Sequence, residues 1–242
     1  MSTTAFKDRH VAVIGGTTGI GLATARLLVA SGARATIAGR DPERLAQARA
    51  SLADEVQAIA VDATDPDALR RFFVETGPID DLVVTVTRRG GAGPASGLAD
   101  QDLLDAFTGK TVAHLRAVAV ALPTLETHGS ITLVSAGSAQ SALPGTAGLA
   151  AVNGALEAAV PVLARELAPR RVNAVSPGVV ETGWWDDMPE EDRRAAFATF
   201  AERTPVGRNG TADEVAHAII SLLENGLLTG VVLPCDGGLR LT

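Results

Sequence analysis

Short apolar runs rich in β-branched residues alternate along the chain with longer segments rich in Ala, Leu and Arg. Seven of these runs have the length of strands, at residues 11–14, 35–38, 58–61, 82–86, 130–134, 171–175 and 230–233. They are apolar on both faces rather than alternating, as is typical of parallel strands covered by helices on both sides. The repeated pattern of strand and helix predicts an α/β chain with a doubly wound, seven-stranded, mainly parallel sheet.

Two helix starts are marked by their capping chemistry. Asp41 precedes Pro42 as a cap residue, with the proline at the first helical position. Thr211 and Glu214 have the spacing of a capping box. Both signals support the assignment of helices to the segments between the apolar runs.

No linker, repeat or low-complexity block divides the chain, so we predict a single domain over residues 1–242. Residues 182–205 lack strand character and predict an excursion over one end of the sheet that serves as a substrate loop. Trp184 and Trp185 lie in this segment, where they would form either an apolar wall over a substrate or an interface patch.

Composition narrows the class of protein. The 242 residues are 46% hydrophobic and 20% charged, which excludes a disordered or fibrous chain. The formal charge of −7 argues against nucleic acid or an anionic membrane as a partner, so a small molecule is expected. The single cysteine, Cys235, and the lack of a Cys/His cluster predict no disulfide and no metal site. The apolar run before the first glycines is too short for a leader or a membrane span, so we expect a cytoplasmic protein.

A glycine-rich turn follows the first strand. The segment reads Gly15-Gly16-Thr17-Thr18-Gly19-Ile20-Gly21 and leads into an apolar helical stretch. Gly15 allows a tight turn, Gly19 permits close approach of a diphosphate, and Gly21 permits close packing of helix and strand. The helix N-terminus adds free amides and a partial positive charge. A purely structural turn is the alternative to a dinucleotide site, whose predicted contacts are Gly15, Thr17, Thr18, Gly19, Ile20 and Gly21.

Arg40 favours NADP(H) over NAD(H) as the cofactor. An NAD-selective site carries an acid at the end of the second strand, but the sequence here reads Ala38-Gly39-Arg40-Asp41. The guanidinium of Arg40 would pair with a 2′-phosphate, or it is a solvated side chain next to a helix cap. Asp62, at the end of the third strand, would accept a hydrogen bond from an adenine amino group or form a turn.

Three stretches of sequence point to one family. The glycine spacing is Gly15-x3-Gly19-x-Gly21, residues 172–182 read Val-Asn-Ala-Val-Ser-Pro-Gly-Val-Val-Glu-Thr, and the C-terminal part contains Pro-Val-Gly-Arg, Glu-Val-Ala, Thr-Gly and Asp-Gly-Gly. Together they resemble the short-chain dehydrogenase/reductase family over essentially the whole chain. The resemblance implies a Rossmann-type fold, a nicotinamide cofactor and a homotetramer or homodimer. It also implies that Pro177 and Gly178 border the nicotinamide, that Val180 meets its carboxamide and that Thr182 lies near the phosphates.

The catalytic pair of that family is replaced in this chain. The family's tyrosine and lysine stand four residues apart, and the matching positions are Leu149 and Asn153. The chain contains no tyrosine, so no shift of the frame restores a phenol. In the family's mechanism the phenol gives a proton to the substrate oxygen, and such assistance is worth about 10²- to 10⁴-fold. Its loss would slow hydride transfer without abolishing it, provided that cofactor and substrate are still positioned.

Other side chains are candidates for the missing proton donor. The family's serine falls on Ala136, with Ser135 and Ser138 beside it, and the family's helical asparagine appears as Lys110. Lys110 and His114 are four residues apart and so share a helical face. Lys110 would supply an ammonium while Ser135 or Ser138 donates to a substrate oxygen. The alternative is structural: a solvated lysine, a hydrogen-bonded packing histidine and serines that cap turns.

A pair of adjacent arginines, Arg88 and Arg89, and a proline, Pro161, add two further expectations. Arg88 and Arg89 follow the fourth strand at the carboxyl edge of the sheet, where they attract phosphates or an acidic substrate, or belong to a solvated loop. Pro161 falls within the helical pattern of residues 155–167 and predicts a kink at a cost of about 3 kcal/mol unless packing compensates. Because the family pairs this helix across subunits, the kink would alter that contact.

These features lead to one leading hypothesis and two alternatives. The leading hypothesis is an NADP(H)-binding oxidoreductase that transfers hydride between nicotinamide and a carbonyl or alcohol substrate with a non-standard acid–base site. One alternative is a catalytically silent nucleotide-binding homologue. The other is a non-redox isomerase, lyase or cyclase that reuses the pocket.

Overall fold

Seven strands of the described residues, 5–52 and 56–242, form one sheet in this computed structural model. The strands are β1 (His10–Ile14), β2 (Arg34–Gly39), β3 (Gln57–Ala60), β4 (Ile79–Val84), β5 (Leu125–Val134), β6 (Arg171–Pro177) and β7 (Val232–Cys235). Their order is β3-β2-β1-β4-β5-β6-β7, and every neighbouring pair is parallel. The seven strands and the doubly wound topology are as predicted, and the strand ends agree within a few residues except at the start of β5, which begins at Leu125 rather than near residue 130. Residues 1–4, which enter the expectation of no leader segment, lie outside the described residues.

The direction in which successive strands are added to the sheet reverses at β1: β2 and β3 lie on one side of β1, and β4 to β7 lie on the other. Val13 of β1 is aligned with Ile37 of β2 on one side and with Val83 of β4 on the other. In an open parallel sheet, ligands bind outside the carboxyl ends of the strands at such a switch point. The glycine turn after β1 and the loop after β4 meet at this place.

Helices cover both faces of the sheet. They are α1 (Gly19–Ala30), α2 (Pro42–Ser51), α3 (Pro66–Thr76), α4 (Asp100–Phe107), α5 (Ala113–Ala121), α6 (Ala147–Glu166), α7 (Glu190–Arg203) and α8 (Ala212–Glu224). Side chains of α1, α2 and α8 pack against one face and those of α3, α5 and α6 against the other, giving two apolar layers. The capping box of Thr211 and Glu214 is present at the start of α8, as predicted.

Helix α6 includes Pro161 within its bounds, at the position where the sequence predicts a kink unless packing compensates. Its length and composition would allow it to cross a membrane, with a mean hydropathy of 1.5 over 18 residues. One stripe of the helix is buried against the sheet, including Val152, Leu156 and Val160. A core helix of a folded domain passes the same test, so the absence of a membrane partner stays a prediction.

The 182–205 segment is more ordered than an open loop. It begins with a single helical turn, Gly183–Trp185, and continues into α7. The sequence predicts only that this segment is not a strand, and since no residue of α7 is fully buried, no apolar stripe marks the helix.

Candidate active site

The glycine turn forms a cradle between β1 and α1. Gly15 has a φ of +91° and Gly19 of +52°, both in the left-handed region that favours glycine. A Cβ atom on Gly21 would lie 2.1 Å from the carbonyl oxygen of Gly15, so a larger residue does not fit there. The first turn of α1, which lies wholly within the described residues, has no acidic side chain, and Thr18 makes no side-chain capping bond. The amides at this end of α1 are therefore left for an anion such as a diphosphate.

Thr85, directly after β4, connects that strand to the glycine turn through hydrogen bonds. Its hydroxyl oxygen lies 3.1 Å from the carbonyl oxygen of Gly15 and 3.3 Å from that of Ile14. Its amide also donates to Ile14 at 2.9 Å. Sequence reasoning missed this role, since the available signal was only the place of Thr85 at the carboxyl end of a strand.

Arg40 is exposed just after β2, and its positive charge interacts with the carboxylate of Asp62, which follows β3. Burial raises the pKa of Asp62, but hydrogen bonds from Thr64 and the charge of Arg40 outweigh burial and lower the pKa overall. The Oδ1 atom of Asp62 accepts from the Thr64 amide at 2.8 Å and from its hydroxyl at 2.7 Å. One carboxylate oxygen thus forms the turn that was the alternative to an adenine contact. Asp41 caps α2 as predicted, accepting from the amide of Glu43 at 2.9 Å.

The loop after β6 returns to the glycine turn. Pro177 ends the strand, and Gly178 lies so close to Asp236 that a Cβ atom on the glycine would be 2.9 Å from the Asp236 Cα. Thr182 lies beside Gly19, because a Cβ built on that glycine would be 3.4 Å from the Thr182 side chain. The structure therefore brings Thr182 to the turn expected to hold phosphates.

Lys110 is a buried lysine in a π-helical turn, Thr108–Val112, between α4 and α5. The residue is 8% exposed, and its Nζ donates to the carbonyl oxygen of Ser135 at 3.0 Å. Burial lowers the pKa of Lys110 to about 8, against the attraction of Glu157, which raises it. A lysine with such a pKa holds its proton at neutral pH and releases it more readily than a solvated lysine.

His114 lies against Lys110, as the spacing of the two residues predicts. Its Nδ1 is 2.9 Å from the carbonyl oxygen of Lys110, and its Nε2 is 3.0 Å from that of Val84. Burial, followed by the charge of Lys110, lowers the pKa of His114 to about 3. At neutral pH His114 is therefore an uncharged, hydrogen-bonded packing residue, in agreement with the structural alternative for this histidine.

The hydroxyl of Ser135 is directed at Glu157 rather than at open space. Ser135 is 2% exposed and donates to Glu157 Oε1 at 2.6 Å. The same carboxylate accepts from Ser176 Oγ at 2.7 Å and from Gln140 Nε2 at 2.9 Å. Because its hydroxyl proton is engaged by Glu157, Ser135 is less suited than Ser138 to donate to a substrate oxygen, and its catalytic role stays a prediction. Sequence reasoning missed Glu157, whose only signal is an acid in the middle of an apolar helix.

Ser138 and Asn153 form a second pair. Asn153 Nδ2 donates to Ser138 Oγ at 3.2 Å and to the carbonyl oxygen of Leu149 at 2.9 Å. Its Oδ1 is buried and has no partner among the described residues. Ser138 is half buried whereas Ser135 is buried, so Ser138 is the more exposed of the two candidate serines.

Arg88 and Arg89 both form ion pairs. Arg88 is 3.4 Å from Asp105. Arg89 pairs with Asp187, donates to the carbonyl oxygen of Trp184 and lies with its guanidinium carbon 5.8 Å from the centre of the Trp184 ring. Arg89 is exposed and connects the loop after β4 to the 182–205 segment, and its predicted attraction for a phosphate or an acidic substrate stays a prediction.

The two tryptophans have different surroundings. The ring centre of Trp185 lies 5.5 Å from that of Phe197 in α7. The Nε1 of Trp185 donates to the carbonyl oxygen of the buried Val180 at 3.0 Å. Trp184 meets Trp185 edge to face at 4.7 Å and lies next to Arg89. Trp185 therefore anchors α7 to the loop after β6, while the choice between an apolar wall and an interface patch stays open for Trp184.

A cavity of about 540 Å³ lies at the N-terminal end of α6. Its lining contains no ionisable side chain and consists of Pro94, Ala95, Ser141, Ala142, Leu143, Pro144, Gly145, Thr146, Ala147 and Ala150. It adjoins the helical turn that carries Leu149 and Asn153. The lining suits the uncharged, apolar part of a small molecule.

Fold and site together define a dinucleotide-binding α/β protein of the doubly wound type. The family model described as enoyl-(acyl carrier protein) reductase matches residues 15–240. The chain is 31% identical to 3-oxoacyl-[acyl-carrier-protein] reductase of Bos taurus over 97% of this chain and 99% of that protein. It belongs to the short-chain dehydrogenase/reductase family, which confirms the resemblance read from the sequence.

Two solved structures are similar over nearly the full chain. The NADPH-bound short chain oxidoreductase from Pseudomonas aeruginosa PAO1, which contains an atypical catalytic center, has a TM-score of 0.90 at 28% identity, covering 98% of each chain. The MalC reductase/Diels-Alderase from Malbranchea aurantiaca has a TM-score of 0.91 at 26% identity, covering 100% of each chain. The fold thus matches that of an NADPH-bound relative and of one whose name includes a reaction other than reduction.

Proposed function

We propose that the protein is an NADP(H)-dependent oxidoreductase acting on a carbonyl or alcohol substrate, with Lys110 as the proton donor in place of the family's phenol. The observation that carries this proposal is the buried ammonium of Lys110 at the carboxyl end of β5, with its pKa lowered by burial to about 8. When bound, the nicotinamide supplies or accepts the hydride.

The described residues fit a nicotinamide dinucleotide phosphate. The space above Gly21 is too small for any side chain, and the amides of α1 suit the diphosphate. Arg40 is exposed at the position where a 2′-phosphate would be met, and no acid occupies it. NAD(H), which lacks that phosphate, would gain nothing from the guanidinium. The NADPH bound by the Pseudomonas relative supports the same choice.

Proton transfer would depend on this chain's own side chains. The oxygen of a carbonyl substrate gains negative charge during reduction, and an ammonium in a desolvated site stabilises that charge and donates a proton to it. Ser138, which is half buried and whose Oγ accepts a hydrogen bond from Asn153, would donate a second hydrogen bond to the same oxygen. The apolar cavity beside α6 would take the rest of an uncharged substrate, and 3-oxoacyl thioesters are the first carbonyl compounds to try because of the named relatives.

The test separates cofactor binding from turnover. We expect calorimetric titration to give a lower Kd for NADPH than for NADH, and Arg40→Ala to weaken NADPH much more than NADH. Equal losses for both cofactors would remove the 2′-phosphate assignment. Failure of both cofactors to bind at millimolar concentration would overturn the whole proposal.

Lys110→Met tests the proton donor. We expect kcat for NADPH-dependent reduction to fall by about 10²- to 10⁴-fold with little change in NADPH affinity. Because the ammonium is the acid, the wild-type rate should decline as the pH rises through about 8. Lys7→Met is the matched control, since Lys7 is an exposed lysine that is far from Lys110 in the sequence. Unchanged turnover in Lys110→Met would exclude Lys110 from the reaction.

A non-redox reaction is the second candidate. Leu149 makes the site less polar than a phenol would, and the MalC relative is named for a Diels–Alder reaction as well as a reduction. Product formation without a change in absorbance at the nicotinamide band would favour this candidate. A chain that binds NADPH but converts no substrate by either readout would be the silent homologue.

Homo-oligomer formation and a cytoplasmic location belong to the same proposal. Exposed apolar side chains such as Val162 of α6 (59% exposed) and Leu104 of α4 (60% exposed) support an assembly that covers these helices. Light scattering on the purified protein would give its mass and decide between a monomer, a dimer and a tetramer.

A further inference from the structure

Glu157 connects three separate parts of the chain through hydrogen bonds next to the candidate site. It lies in the middle of α6 and receives hydrogen bonds from Ser135 at the end of β5 and from Ser176 near the end of β6. Its second oxygen accepts from Gln140, in the turn after β5. Glu157 is half buried, and these three donors satisfy its carboxylate on the side that faces the protein.

Ser135 lies between two side chains of opposite charge, Glu157 and Lys110. Its hydroxyl donates to Glu157 at 2.6 Å, while its carbonyl oxygen accepts from Lys110 Nζ at 3.0 Å. Among the described residues the two charged side chains meet through Ser135 rather than in a direct ion pair. The carboxylate nevertheless acts on the ammonium, because its attraction is what opposes the effect of burial on the pKa of Lys110.

The other ionisable groups near Lys110 do not replace this attraction. His114 packs against the Lys110 backbone and is neutral at pH 7, because burial and then the Lys110 charge lower its pKa to about 3. Arg88, whose side chain lies against Gly109, has a positive charge that is paired with Asp105 at 3.4 Å. Glu157 is thus the negative charge that acts on Lys110 in the described part of the chain.

We propose that Glu157 is a positioning residue for the reaction: it serves as the counter-charge of Lys110, fixes Ser135 between the two groups and keeps the Lys110 amine protonated at neutral pH. The inference rests on the proposed function, in which Lys110 donates the proton. It assigns the acid–base site of this chain to a Lys110–Ser135–Glu157 arrangement built from the π-helical turn before α5, the residue after β5, and α6, instead of a tyrosine and a lysine on one helix.

The chain is suited to a direct test because Lys7 and Lys110 are its only lysines. Selective ¹³C labelling of the lysine ε-carbon gives two NMR signals in the full-length protein, and the exposed Lys7 serves as an internal reference. We expect the Lys110 signal of the wild type to titrate at a midpoint near 8. Glu157→Gln should lower that midpoint by about 1 pH unit, a tenfold change in the ratio of ammonium to amine.

Control variants separate charge from shape. Glu166→Gln removes an exposed acid from the end of the same helix and should leave the midpoint of Lys110 unchanged. Ser176→Ala removes one hydrogen bond to Glu157 but keeps its charge, so the midpoint should stay within half a unit of the wild type. Glu157→Asp retains the charge and should restore most of the midpoint lost in Glu157→Gln. If Glu157→Gln does not fold, Glu157→Ser, which leaves room for water, should show the same drop.

Turnover provides the second readout. In Glu157→Gln the alkaline limb of kcat/KM should move to lower pH by the same amount as the NMR midpoint, with little change in NADPH affinity. A Lys110 midpoint within 0.3 units of the wild type in Glu157→Gln would overturn the inference. If the midpoint moves but Lys110→Met is fully active, the counter-charge stands and the proposed proton donor is wrong, so the two failures are distinguishable.

Discussion

Substitution of Gly21 by alanine is the sharpest test of the glycine cradle. The added Cβ would lie 2.1 Å from the Gly15 carbonyl oxygen, 2.6 Å from Thr85 Oγ1 and 2.8 Å from the Gly15 carbonyl carbon. Two of these atoms are backbone, so α1 or the turn must shift by about 1 Å to reach an ordinary contact. Overpacking of this kind costs about 3 kcal/mol at its upper range, and the better helix propensity of alanine returns about 1 kcal/mol.

We therefore expect Gly21→Ala to lose about 2 kcal/mol of unfolding free energy, which lowers Tm by about 4 to 8 °C for a domain of this size. The Kd for NADPH should rise at least tenfold, because the displaced turn carries the amides that would meet the diphosphate. Urea unfolding followed by far-ultraviolet circular dichroism measures the first quantity, and calorimetry measures the second.

Gly154→Ala is the matched control in another helix. A Cβ at Gly154 would meet nothing within 4 Å, so this variant should gain about 0.5 to 1 kcal/mol from helix propensity alone and bind NADPH as the wild type does. If Gly21→Ala were as stable as the wild type and bound NADPH equally well, the cradle argument would be refuted.

Two further predictions concern stability. Burial raises the pKa of Asp81 to about 6 despite its pairing with Arg9 at 2.5 Å, so protonation favours the folded state and its contribution is lost as the pH rises through 6. Relative to Asp81→Asn, the wild type should lose on the order of 3 kcal/mol of unfolding free energy between pH 4 and pH 7, and parallel pH curves for the two proteins would contradict this. Thr211→Ala removes half of the capping box shared with Glu214 and should cost about 1 kcal/mol in urea unfolding, whereas no loss would show that the cap contributes nothing measurable.

The parts of the fold that were predictable from sequence have local causes. The strands were visible as apolar runs, and the caps at Asp41 and Thr211 depend on residues within one helical turn. The glycine turn was predictable for the same reason, since its strain and close packing involve residues 15 and 21. The strand β5 begins at Leu125 rather than near residue 130, because its first residues are mostly exposed and lack an apolar pattern.

The acid–base arrangement was only partly predictable, because it depends on contacts across the sheet. Lys110 was a candidate on the strength of the family's helical asparagine position, but its burial and its bond to Ser135 bridge 25 residues of sequence. The bond that engages the Ser135 hydroxyl comes from Glu157, which is 22 residues further along the chain. The attachment of Arg89 to Asp187 spans 98 residues and has no local signal at all.

The placement of the tryptophans gives the protein a built-in optical reporter. The chain has no tyrosine and only two tryptophans, Trp184 and Trp185, so its ultraviolet emission arises from this one pair. The pair lies in the 182–205 segment, where Trp185 packs against Phe197 of α7 and Arg89 connects Trp184 to the loop after β4. Emission wavelength and energy transfer to a reduced nicotinamide ring would thus follow the movement of this segment alone, with no labelling and no background from the rest of the domain.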